Sequence, residues 1–188
     1  TATVGRQCVL AVEELLAAKQ AHVIDAPVSG GLLRAQQAQL TIMAGASRHV
    51  LDCAMPVLRA IASVVSPVGD VGAGQAAKLV NNYILGINIL GLLEGLKLGV
   101  AAGIQPEVLR TTLGAGSANS FVLESWPAYG ERWKNQLSGR HAQMPLLCKD
   151  VGLAIAMAEE LGLQLPVGDL ANALCISGDA AGSDDPSL

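Results

Sequence analysis

The sequence predicts an α/β remnant of a parallel sheet, followed by an all-α domain built on one long helix. Three observations carry this. Short apolar strands alternate with helical stretches as far as residue 71, no strand pattern recurs after it, and Gln75 to Ala102 is continuously helical in character. Gly5 to Ala21 opens as an amphipathic helix with Val9, Val12, Leu15 and Leu16 on one side. His22 to Val28 reads as a strand, and Leu40 to Ala44 and Ser63 to Val68 read as two more. Between these two lies a helical stretch that Ser47 is placed to cap and that Pro56 is expected to break into two pieces.

The second half reads as helices over Gln75 to Ala102, Pro106 to Leu113, Ser120 to Trp126, Met144 to Leu161 and Pro166 to Ile176. Pro106 and Pro166 suit first-turn positions, while Gly103 and Gly162 stand where helices stop. This divides the chain into an α/β part, residues 1–71, a helical part, 72–176, and a small polar tail, 177–188, expected to be loosely held. Three strands are few for a parallel sheet, which needs neighbours on both edges and helices on both faces. The expectation is therefore that strands are missing upstream and that this is the latter part of a longer protein.

Of the 188 residues 51% are hydrophobic and 15% charged, a balance that excludes disorder and supports real cores. A net charge of −4 and 3% aromatic residues leave neither a basic face for phosphates nor a stacking surface, so nucleic acid is not an expected partner. A mean hydropathy of +0.43 raises the membrane question. The uncharged run Leu79 to Leu93 is short for a span and carries Asn81, Asn82 and Asn88, so it is read instead as a helix buried on several sides by protein, with no membrane partner. The N-terminus shows no signal-peptide pattern. Cys8, Cys53, Cys148 and Cys175 form no CxxC pair, and His22, His49 and His141 no ligand cluster. No metal site is expected, and the cysteines read as small buried hydrophobes of a reducing compartment, the cytoplasm or an organelle matrix.

Gly72 to Ala77 satisfies GxGxxA after a strand and before a helix, with Glu94 downstream as a possible ribose acid. The match is rejected. Glu94 lies inside an unbroken helical pattern with no second strand before it, so the glycines are read as a turn opening a long helix.

DAPVSGG at 25–31, LTIMAG at 40–45, GAGQAAKLVNN at 72–82 and KDVGLA at 149–154 are more specific together than any is alone. In these the chain resembles the β-hydroxyacid dehydrogenase family, the group of 3-hydroxyisobutyrate dehydrogenase, tartronate semialdehyde reductase and relatives of the 6-phosphogluconate dehydrogenase type. The resemblance covers nearly all 188 residues and lacks the family's N-terminal part with its pyrophosphate-holding GxGxxG turn. It implies a Rossmann-type sheet remnant joined to the all-α domain by a long interdomain helix, NAD or NADP as cofactor, and hydride transfer to or from a short β-hydroxy acid or its semialdehyde. It also implies a homodimer or homotetramer assembled through the helical part.

The family's general acid/base falls on Lys78. Near the positive end of a mostly apolar helix, desolvation and the helix dipole both favour the neutral amine and lower its pKa toward the range of a proton shuttle; a lysine snorkelling from a helix end is the alternative. Asn82, four residues on, shares Lys78's helix face and is expected to orient the substrate, the alternative being a buried amide serving backbone groups. Ser29, Gly30 and Gly31 end a strand and offer backbone N–H groups to a carboxylate. The resemblance assigns Thr3 to the nicotinamide side of the cofactor, although alone it reads equally as a helix cap. It also places Lys149 near the cofactor, where a solvated helix-start lysine is the alternative.

Two departures stand out. Relatives usually continue SGG with a further Gly-Ala and another Gly four residues on, where this chain has Arg34 and Ala38, and Arg34 either adds a cation for a substrate with a second acidic group or faces water. Arg140 to Gln143 lacks the aromatic residue many relatives place before the KD pair. A rival of another class stays open: a non-catalytic helical dimerisation or assembly module derived from the family.

Overall fold

A computed structural model describes residues 1–126 and 144–177. The stretch Arg140 to Gln143 and the tail beyond Ser177 lie outside the described residues. The helices are α1 (Arg6–Ala17), α2 (Gly31–Gln36), α3 (Arg48–Ile61), α4 (Ala73–Ala101), α5 (Pro106–Ala115), α6 (Phe121–Glu124), α7 (Met144–Glu160) and α8 (Pro166–Ser177). The strands are β1 (Val28–Ser29), β2 (Thr41–Gly45) and β3 (Val64–Gly69). The chain forms two compact units, one of Thr1–Asn81 with Ala156–Leu163, the other of Asn82–Ile155 with the residues from Gln164 onward. The division falls inside α4, between Asn81 and Asn82.

In the first unit the sheet order is β1-β2-β3. β2 and β3 run parallel from Thr41↔Val64 to Ala44↔Pro67, with an irregularity before Gly45↔Gly69. Pro67 is tolerated because β3 is an edge strand, where a missing N–H breaks no ladder. β1 is antiparallel to β2, not parallel as expected, with Val28 opposite Ile42. The connection Gly30–Leu40, which winds into the unforeseen helix α2, is shorter than the dozen or so residues a parallel crossover takes. The expected strand over His22–Val28 shrinks to Val28–Ser29 and a bridge at Asp25↔Gly45, because Pro27 between them has no N–H to donate.

The core of this unit is Ala26, Ile42, Ala44, Ala46, Leu51, Leu58 and Ala62, with α3 laid on the sheet. That burial explains why α3 runs unbroken through Pro56 rather than splitting there: Leu51 and Leu58, on either side of the proline, are both held by the core. Ser47 does occupy the N-cap, but its hydroxyl makes no capping bond. α1 stops at Ala17, and of Val9, Val12, Leu15 and Leu16 only Val9 is buried.

The second unit is helical where described, and its helices fall within a few residues of the predicted spans. Gly103 and Gly162 stop α4 and α7 with positive φ of 88° and 70°. Its core is Ile89, Leu96, Leu109, Val122 and Trp126. α4 is longer than the uncharged run suggested. It has 29 residues, and by length and composition alone it is apolar enough to cross a membrane. Only 17% of its most apolar window is buried within the chain, so the expectation of a helix buried on several sides is not met.

The cysteines also depart from expectation. Cys148 on α7 and Cys175 on α8 are joined as a disulfide with Cα atoms 5.7 Å apart, while Cys8 and Cys53 are exposed rather than buried. The bonded pair borders an apolar cavity with Gly86, Leu90 and Val151, and its 10 Å³ has room for about one water.

Candidate active site

Of the residues singled out from the sequence, Thr3, Ser29, Gly30, Gly31 and Lys78 belong to the first unit and Asn82 and Lys149 to the second. Lys78 lies in the second turn of α4 and is half-buried. Thr3 is half-buried in the extended segment before α1, whose N-cap is Gly5, so Thr3 is not the cap. Ser29 closes β1 opposite Thr41, and Gly30 is the N-cap of α2.

The segment holding Thr3 and the helix turn holding Lys78 are tied together by two buried residues whose roles the sequence did not reveal, Asp25 and Gln75. Gln75 Nε2 donates to Ala2 O at 3.0 Å and to Asp25 Oδ1 at 3.0 Å. Its Oε1 accepts from Val4 N at 2.9 Å and from Gly5 N at 3.3 Å. Asp25 Oδ2 accepts from the Gln75 backbone N–H at 2.7 Å, and Asp25 exchanges both backbone hydrogen bonds with Gly45. Both residues sit in the motifs quoted above, yet fifty positions separate them and only the fold pairs them.

This close approach needs glycine. A methyl group added at Gly74 would lie 2.6 Å from Met43 O and 2.8 Å from Asp25 Oδ2, and one at Gly45 would lie 2.8 Å from Gly74 N. The GxGxxA turn is therefore spent on packing α4 against the sheet. Its anion is internal: the Asp25 carboxylate occupies the first turn of α4, where a pyrophosphate would otherwise bind.

At the serine-glycine turn, Gly30 has φ 132°, a conformation L side chains rarely adopt. The stem of Arg34 covers it, with Cβ and Cδ 2.8 and 2.9 Å from where a side chain on Gly30 would begin. Arg34 is thus exposed but laid along the serine-glycine turn rather than extended away from it.

In the second unit Asn82 and Lys149 meet at Asp150, another residue the sequence reading passed over beside its neighbour. Asn82 Nδ2 donates to Asp150 Oδ2 at 2.5 Å, and Lys149 Nζ lies 2.8 Å from Asp150 Oδ1. Asp150 and Asn82 are buried, and of the two carboxylate oxygens Oδ2 accepts a hydrogen bond while Oδ1 has only the ion-pair contact with Lys149. Asn82 therefore serves at least one side chain, and Lys149, whose side chain is 43% exposed, is ion-paired to its neighbour in the second turn of α7.

Comparison with known proteins identifies the class. Residues 72–187 match the family described as NAD-binding of NADP-dependent 3-hydroxyisobutyrate dehydrogenase, and residues 1–69 match the NAD binding domain of 6-phosphogluconate dehydrogenase. The chain belongs to the β-hydroxyacid dehydrogenase family. It is 38% identical over 183 residues to 2-(hydroxymethyl)glutarate dehydrogenase of Eubacterium barkeri, covering 96% of this chain and 59% of that protein. It is 36% identical over 178 residues to 3-hydroxyisobutyrate dehydrogenase of Pseudomonas aeruginosa, covering 92% and 59%. Among solved structures, a 3-hydroxyisobutyrate dehydrogenase from Salmonella typhimurium superposes with a TM-score of 0.80 at 28% identity, over 96% of this chain and 62% of that one. The chain thus spans about three-fifths of the relatives it matches.

Proposed function

We propose that this chain carries the proton-transfer and substrate-holding part of an NAD(P)-dependent oxidoreductase acting on a short β-hydroxy acid, 3-hydroxyisobutyrate-like, or its semialdehyde. The observation that carries the reading is Lys78, half-buried on α4 one turn after Gln75, whose amide holds both backbone neighbours of Thr3. On this reading Thr3, on a backbone fixed by Gln75, meets the nicotinamide end of the cofactor, and Lys149 supplies a cation to the cofactor. The residues present do not offer a phosphate cradle at α4, since Asp25 fills that turn. The dinucleotide, when bound, supplies the hydride acceptor or donor.

Each residue then has a task. Lys78 takes the hydroxyl proton of the alcohol as its carbon is oxidised and returns it in the reverse direction. Ser29, Gly30 and Gly31 hold the substrate carboxylate through backbone N–H groups and the serine hydroxyl. Asn82 orients the substrate, its amide set by the bond to Asp150.

We also propose that the chain self-associates as a homodimer or homotetramer through α4, on which Val80, Ile84 and Leu98 are exposed. Sedimentation of the protein and of Ile84→Asp tests the assembly; an unchanged sedimentation coefficient overturns it.

The test of function uses the protein expressed with whatever coding sequence precedes Thr1. NADH and NADPH binding is followed by fluorescence, and oxidation of 3-hydroxyisobutyrate is assayed with and without Lys78→Ala. Turnover is expected to fall about 100-fold or more, the scale of a lost general acid/base. If wild type and variant are equally inert on every short hydroxy acid while the chain still self-associates, the assembly-module reading replaces this one.

A further inference from the structure

We propose that Gln75 is a positioning residue for hydride transfer: its side-chain amide fixes the backbone on both sides of Thr3 to the helix turn that carries Lys78. The inference rests on the dehydrogenase reading above. Gln75 is 2% exposed, and all of its side-chain hydrogen-bonding capacity is used, two donors and two acceptor positions. The pattern is specific. Nε2 takes the carbonyl of the residue before Thr3 and Oε1 the N–H of the residue after it, as a neighbouring strand would.

The other half of the device is Asp25, 3% exposed, which holds both the Gln75 backbone N–H and its amide nitrogen while its own backbone is bonded into the sheet at Gly45. A buried polar network in which every member is satisfied has one low-energy arrangement. Sheet, Asp25, Gln75 and the Ala2–Gly5 segment therefore move as one body, and Lys78 lies three residues along the same helix. Hydride leaves or reaches the substrate carbon as the proton leaves or reaches its oxygen, so the group serving the nicotinamide and the group serving the proton must keep a fixed spacing. A misplacement of about 1 Å costs up to roughly 100-fold in rate.

The test compares wild type, Gln75→Leu, Gln75→Asn and Lys78→Ala, each expressed with whatever coding sequence precedes Thr1. Asn keeps the amide but is one methylene too short to reach Asp25 and Val4 together, so it remains usable if the leucine variant does not fold. Turnover per folded site is expected to fall about 10- to 100-fold in Gln75→Asn. The primary deuterium isotope effect on turnover should rise, and KM for the hydroxy acid should stay within about threefold. Amide hydrogen exchange at Val4 and Gly5 should quicken. A merely structural role would lower the melting temperature and leave per-site turnover and the isotope effect unchanged, which overturns the inference alone. If wild type itself moves no hydride with any short hydroxy acid, the functional reading falls and this inference with it.

Discussion

The Asn82 amide nitrogen donates to Asp150 Oδ2 at 2.5 Å, and both residues are buried. Removing the donor leaves a buried carboxylate oxygen short of a partner, a loss of about 1–3 kcal/mol. Asn82→Ala should therefore lower the urea unfolding free energy by that amount. Asn82→Asp, which sets carboxylate against carboxylate, should lower it further. Equal stability of wild type and both variants would mean the pair contributes nothing to the fold.

The Cys148–Cys175 bond closes a loop with a sequence separation of 27 between α7 and α8. A cross-link of this span stabilises by about 2–4 kcal/mol, chiefly by restricting the unfolded chain. Cys148→Ser, or full reduction of wild type, should lower unfolding free energy by that amount. Thiol titration under denaturing conditions without reductant should find Cys8 and Cys53 reactive and the other two silent; four reactive thiols would count against the bond.

Gly74 and Gly91, both on α4, should respond in opposite directions to alanine. At Gly74 the methyl group meets the Met43 and Asp25 carbonyl oxygens at 2.6 and 2.7 Å, backbone atoms that do not yield, and a loss of about 2–4 kcal/mol is expected. At Gly91 nothing lies within 4 Å, so alanine should stabilise the helix by about 0.5–1 kcal/mol. Differential scanning calorimetry of the two variants decides it.

Arg34 lies along the Gly30 turn, and its guanidinium has five donors, enough to hold a carboxylate beside any other partner. Arg34→Gln should lower kcat/KM for the dicarboxylic 2-(hydroxymethyl)glutarate by about 10- to 100-fold, the scale of a lost charge-assisted bond. The value for monocarboxylic 3-hydroxyisobutyrate should stay within about twofold. Equal loss on both acids would assign the guanidinium to the carboxylate they share, and no loss on either would place it away from the substrate.

Much of the fold was legible because β2, β3 and the helices from α4 to α8 are apolar runs bounded by glycine and proline. Where the reading failed, a proline was weighed by local preference alone. Pro27 shortened a strand that looked continuous, while Pro56 stayed inside a helix held by Leu51 and Leu58 in the core. Thr3 was singled out only through the family resemblance, while Lys78 and Asn82 stood out because their motif is local. Asp25, Gln75, Asp150 and the cysteine pair did not, since their significance lies in partners 27 to 73 residues distant, which no spacing rule predicts.

A glycine-rich turn leading into a helix is a half-built salt: donors and a dipole awaiting a counter-ion. At α4 the protein supplies that counter-ion itself from Asp25. Sulfate- or phosphate-rich solutions therefore gain no foothold there, and a motif scan that counts only glycines will keep mistaking such internally neutralised turns for nucleotide sites until it also asks which acidic side chain already fills them.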